Sequence, residues 1–122
     1  MHIIKLSDVS YSEKALTQAV LQITQMLDIY HAELARILHL QCADIGELSN
    51  ANNVISKNSV PWFEAEKYIE LYECLYFSYD GNEALINNWL RKKNEKLQAI
   101  PLYLMVDELR IDDVLNVARI KN

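Results

Sequence analysis

His39 and Cys42 stand three residues apart, a spacing at which two side chains can reach one metal ion. A structural zinc takes four ligands, and the chain holds no second matching pair, so no metal site is expected. The acidic pairs Glu64/Glu66, Asp107/Glu108 and Asp112/Asp113 are the other candidates for chemistry, as general acids and bases. All lie in stretches with helical apolar spacing, where solvated helix faces account for them. There is no Gly-x-Ser-x-Gly elbow and no recognisable cysteine-nucleophile signature. Two glycines cannot build a phosphate-cradling loop. The expectation is therefore no catalytic residue, no cofactor and no enzyme.

Two groupings point to binding instead. Five of the seven tyrosines fall between Tyr68 and Tyr103. Tyr68, Tyr72, Tyr76 and Tyr79 repeat at helical intervals and share one expected face. Such a face is either packing with hydroxyls reaching the surface or an interface stripe, where tyrosine is enriched. The second grouping is Leu27–Leu40, whose Glu33-Leu34-Ala35 and Ile37-Leu38 look like the first half of a helix-turn-helix. The helix after it would enter the major groove, with Gln41, Ala43, Ser49 and Asn50 as candidate DNA contacts. From Asp28 to Ser56 there are four acids (Asp28, Glu33, Asp44 and Glu47) against the single base Arg36. Carboxylates facing phosphate oppose binding, so operator DNA is the disfavoured partner.

Composition agrees with a helical binding protein. The 122 residues are 51% hydrophobic, with two glycines and two prolines, which leaves long stretches without breakers. A net charge of −5 disfavours non-specific attraction to nucleic acid or anionic membranes. Cys42 and Cys74 are read as buried free thiols. Met1–Lys5 has no long apolar core and no small-residue cleavage site, and no run is long enough to span a bilayer. A cytoplasmic protein with no membrane partner is expected.

The elements that position these groups follow from caps and apolar spacing. Residues 1–9 read as an irregular arm or small strand. Ser10 and Glu13 have capping-box spacing ahead of a helix over 12–27 carrying Leu16, Val20, Ile23 and Leu27. Shorter helices are expected over 30–38 and 43–50, followed by a polar connection from Asn50 to Ser59. Ser59 as N-cap and Pro61 in the first turn start a long, widely apolar helix to about Tyr79 that must be central. Asp80-Gly81-Asn82 ends it. A helix over 83–92 buries Leu85, Ile86, Trp89 and Leu90, with Arg91-Lys92-Lys93 at its negative end. Pro101 starts another helix to about Val106, and Ile111–Ile120 forms the last. The fold class is all-α: a compact bundle of six to seven helices, divided as 1–58 and 59–122.

The C-terminal half carries a pattern. The segment Glu83–Leu90, with Ala84 and Trp89-Leu90, followed by Asn94, Leu97, Pro101, Leu104 and Val114, resembles the toxin-binding domain of MbcA/ParS/Xre antitoxins. A helix-turn-helix-like lobe precedes that domain in the family, as it does here. The resemblance spans roughly residues 12–120. Gln98-Ala99 stands where the family has a glycine pair, and Leu109-Arg110 where a glycine precedes the last helix. The glycine usual near the end is also absent. The resemblance implies an antitoxin of a type II toxin–antitoxin system that neutralises an NAD-degrading, RES-domain toxin by covering its active-site entrance. It further implies a dimer in many members and repression of the protein's own operon in some. The matching toxin-binding region is Asn94–Asn122, giving Asn94, Arg110, Arg119, Lys121 and Asn122 as candidate toxin contacts. Trp89, Leu97 and Pro101 are expected to hold the fold.

Overall fold

The computed structural model describes residues 12–120, and among these every regular element is a helix. In order they are α1 (Glu13–Met26), α2 (His31–Leu38), α3 (Cys42–Ser49), α4 (Val60–Ser78), α5 (Glu83–Arg91), α6 (Pro101–Asp107) and α7 (Ile111–Ile120). The expected arm at 1–9, Ser10, Lys121 and Asn122 lie outside the described residues. The all-helical expectation is met, with seven helices among those residues.

Helix α4 is the axis. It packs against α1, α2, α5 and α7, while α2 also packs against α3 and α6. Its start is set as expected: Ser59 Oγ accepts from the Trp62 N–H at 3.2 Å, and Pro61 occupies the first turn. The cap of α1 differs from expectation. Ser12 Oγ accepts from the Ala15 N–H at 3.0 Å, so Ser12 is the N-cap. Glu13 is used elsewhere: its carboxylate accepts from the Lys57 N–H at 2.8 Å and holds the 50–59 connection against α1.

One cluster of buried apolar side chains runs from Leu16 through Tyr68 and Tyr72 to Ala118. The tyrosine stripe divides along its length. Tyr68 and Tyr72 are buried, whereas Tyr76 and Tyr79 are half-buried at the far end of α4. The Tyr68 hydroxyl lies 2.8 Å from Thr24 Oγ1 on α1, which meets the requirement for a partner on burial. Burial pushes its ionisation well above the ordinary tyrosine value. These two tyrosines therefore face the core, not the surface.

Two further expectations are corrected. Cys42 is exposed at the start of α3 and Cys74 is half-buried, although both are free. Leu85 is 45% exposed, because α5 buries the stripe Ile86, Trp89 and Leu90 and leaves Leu85 at its edge.

Candidate protein and nucleic-acid interfaces

The turn between α2 and α3 is tight, spanning His39 to Gln41. His39 adopts the left-handed conformation (φ 61°), and the Leu40 N–H returns to the Ala35 carbonyl at 2.8 Å, closing α2 as a Schellman-type end. Each helix is then capped by its own acid. The Glu33 carboxylate accepts from the Tyr30 N–H at 2.8 Å, and the Asp44 carboxylate from the Gln41 N–H at 2.9 Å. Carboxylates in the first turn also suit the positive end of the helix dipole. Half of the acids counted against DNA thus have a structural role. Ile45 and Leu48 seat α3 on the core, leaving Gln41, Ala43, Ser49 and Asn50 exposed.

The one base of this stretch is committed to α6. Arg36 Nε donates to the Val106 carbonyl at 2.6 Å and Arg36 Nη2 to the Asp107 carbonyl at 3.3 Å, at the C-terminal end of α6. Arg91 does the same for α1, with Nη2 donating to the Leu27 carbonyl at 2.8 Å and the Asp28 carbonyl at 3.2 Å. A guanidinium at a helix C-terminus satisfies free carbonyls and meets the negative end of the dipole. No sequence pattern flagged either contact, because the acceptors are backbone atoms more than sixty residues away.

The connection between α5 and α6 is built around Asn94. Its Oδ1 accepts from the Lys96 N–H at 2.9 Å and the Leu97 N–H at 3.1 Å. Its backbone pairs with Ala99 as an isolated bridge, and its carbonyl accepts from the Gln98 N–H at 2.8 Å. Asn94 therefore organises the turn with its own side chain. Trp89 and Pro101 are buried and Leu97 half-buried, in keeping with a scaffold role.

Arg110 and Arg119 are exposed on the C-terminal segment, but each is already paired. Arg119 Nε and Nη2 grip the Glu70 carboxylate at 2.7 and 2.9 Å, a bidentate link from α7 to α4. Arg110 Nε lies 2.7 Å from an Asp113 oxygen, with Glu108 at 3.7 Å. These carboxylates hold both guanidinium pKa values above the ordinary range. Lys67 similarly bridges Glu64 at 2.9 Å and Asp112 at 3.0 Å. Glu64 and Asp112, counted in the acidic pairs above, thus both pair with Lys67, Glu64 within α4 and Asp112 across from α7. The two sets of candidate residues fall on different segments: Gln41, Ala43, Ser49 and Asn50 on and beside α3, and Asn94, Arg110 and Arg119 in the α5–α6 connection, before α7 and on α7. His39 and Cys42 are not joined by further ligands: no metal-binding group of three or more such side chains occurs among the described residues. Nor is any helix among them long and apolar enough to cross a membrane.

Seven residues other than glycine hold left-handed backbone among the described residues: Asp28, His39, Ala51, Asn58, Asp80, Gln98 and Leu109. Gln98 and Leu109 both have left-handed conformations, with φ 57° and 56°. Glycine adopts such angles without steric cost, and a glutamine or leucine does not. No family model and no curated protein matches the chain.

Proposed function

We propose that this protein is an antitoxin: a helical inhibitor that binds an NAD-degrading toxin of the RES type and covers its active-site entrance. The observation that carries the reading is the left-handed backbone at Gln98 and Leu109. The resembled family has a glycine pair where Gln98-Ala99 stands and a glycine before the last helix, where Leu109-Arg110 stands, and glycine takes such angles without steric cost. The Asn94-centred turn and the Pro101-started α6 support the same pattern. The inhibitor acts by occlusion, so its own residues need position a surface and carry no reaction. In this reading Arg110 and Arg119 reach the toxin by exchanging Asp113 and Glu70 for carboxylates of the cleft. Co-expression with the product of the neighbouring gene tests it. Restored growth and a complex that co-purifies are expected; growth arrest with no complex would refute the assignment.

A second reading, a DNA-binding autorepressor, is favoured by the closed α2–α3 turn and by the exposed Gln41, Ala43, Ser49 and Asn50. The commitment of Arg36 to α6 carbonyls ranks it second. A gel shift with the protein's own upstream DNA, alone and with the partner bound, decides it. Absence of a shift in both states would remove it.

A further inference from the structure

Residues 91–96 gather four of the chain's twelve bases, against one of its seventeen acids. Arg91 is turned inward onto the end of α1. Lys92, Lys93 and Lys96 are exposed, and none forms an ion pair with another described residue. By contrast Lys67, Arg110 and Arg119 all do. Lys92 and Lys93 border an open concavity of about 230 Å³ that Tyr79, Leu85 and Trp89 also line. Trp89 is only 9% exposed, whereas Leu85 at 45% stands free at the rim. This is an apolar notch with a cationic lip. It is smaller than the roughly 300–1,000 Å³ of small-molecule sites, and it suits one side chain of a macromolecule.

We propose that the notch docks an acidic segment of a partner protein. One apolar side chain of that segment packs on Leu85 and Trp89, and its carboxylates face Lys92 and Lys93. Charge complementarity selects this occupant. The lysines form a positive island on a chain of net charge −5. A nucleic acid would need a basic track that continues along its phosphates, and the overall charge repels it. A short acidic peptide needs only the lip, and an apolar anchor beside a charged rim is how protein interfaces divide affinity and steering. The inference deepens the inhibitor reading by giving the chemistry of a partner contact. Its test uses a peptide, so it can fail while toxin neutralisation stands, and the reverse.

The experiment titrates the isotope-labelled full chain with a short peptide of glutamates around one phenylalanine, followed by NMR and fluorescence anisotropy. The Trp89 indole and the Lys92 and Lys93 amides shift, while the Trp62 indole does not. The paired change K92E/K93E weakens binding by about tenfold or more, and Leu85→Ser gives an independent loss of severalfold. Both changes fall on exposed positions and leave the melting temperature within a few degrees of the parent. Replacing the peptide's phenylalanine by alanine weakens binding, and so does added salt. An unmoved Trp89 indole, equal affinity for K92E/K93E, or tighter binding of an oligothymidylate strand than of the peptide would overturn the proposal.

Discussion

Arg36 on α2 donates from Nε to the carbonyl oxygen of Val106 on α6 at 2.6 Å, tying α2 to the C-terminal helices. A hydrogen bond from a charged donor contributes about 1.5–3 kcal/mol, less where water screens the group. Arg36 is an exposed residue, so Arg36→Ala is expected to cost about 1–2 kcal/mol and to lower the melting temperature by several degrees. Chemical denaturation measures it. Arg36→Lys, which lacks the planar fork, recovers only part of the loss. If the guanidinium served DNA instead, the alanine variant would keep its stability and lose its gel shift.

Leu109 holds a left-handed φ of 56° between α6 and α7 while 43% exposed. An L-residue there carries roughly 1 kcal/mol of steric cost, and a β-branched one carries more. Leu109→Val should destabilise by about 1 kcal/mol or more, whereas Leu109→Gly should be neutral to stabilising. Equilibrium unfolding of the two variants distinguishes them. Equal losses in both would mean that the Leu109 side chain, not its backbone, matters.

Much of this architecture was legible before any coordinates. The bounds of α7 at Ile111–Ile120 and the Ser59/Pro61 start of α4 follow from apolar spacing and capping chemistry, which are local. What stayed hidden is long-range. The Tyr68 hydroxyl finds Thr24 forty-four positions away, so periodicity alone groups it with Tyr76 and Tyr79 as a shared face. Arg119 reads as a free base until Glu70 is brought beside it. Ser10 and Ser12 compete for one helix start, and a one-turn pattern does not separate them. The two candidate surfaces were legible as segments, but the occupation of their charges was not.

The two glycines of the chain should respond to alanine with opposite signs. A Cβ at Gly46 would meet nothing within 4 Å, and the residue sits within α3. Gly46→Ala is therefore expected to stabilise by about 0.5–1 kcal/mol through helix propensity and unfolded-state entropy. Gly81 has φ +75°, and a Cβ there would lie 3.1 Å from the Tyr76 ring. Gly81→Ala should cost about 1 kcal/mol or more. Thermal melts of both variants check the pair. A stabilised Gly81→Ala would contradict the turn geometry.

The cysteines should differ in reactivity. Cys42 is exposed at the first residue of α3. Cys74 is half-buried, and burial, reinforced by the neighbouring Glu70 carboxylate, pushes its thiol pKa up. The thiolate is the nucleophile, so Cys74 needs a higher pH than an ordinary thiol to react. Native-state alkylation followed by mass spectrometry should label Cys42 first at neutral pH. Cys74 should follow only as the pH rises above the ordinary thiol range or the chain unfolds. Equal labelling rates at neutral pH would show that α4 and α7 open readily around Cys74.

The central claim is inhibition by occlusion, and a titration reads it most directly. The purified chain is added in steps to the purified product of the neighbouring gene, the proposed toxin, and the rate of NAD consumption is followed. The account predicts a linear fall to an endpoint at a fixed ratio of the two proteins, with both eluting as one complex. An undiminished rate of NAD loss, with the proteins eluting apart, would contradict it.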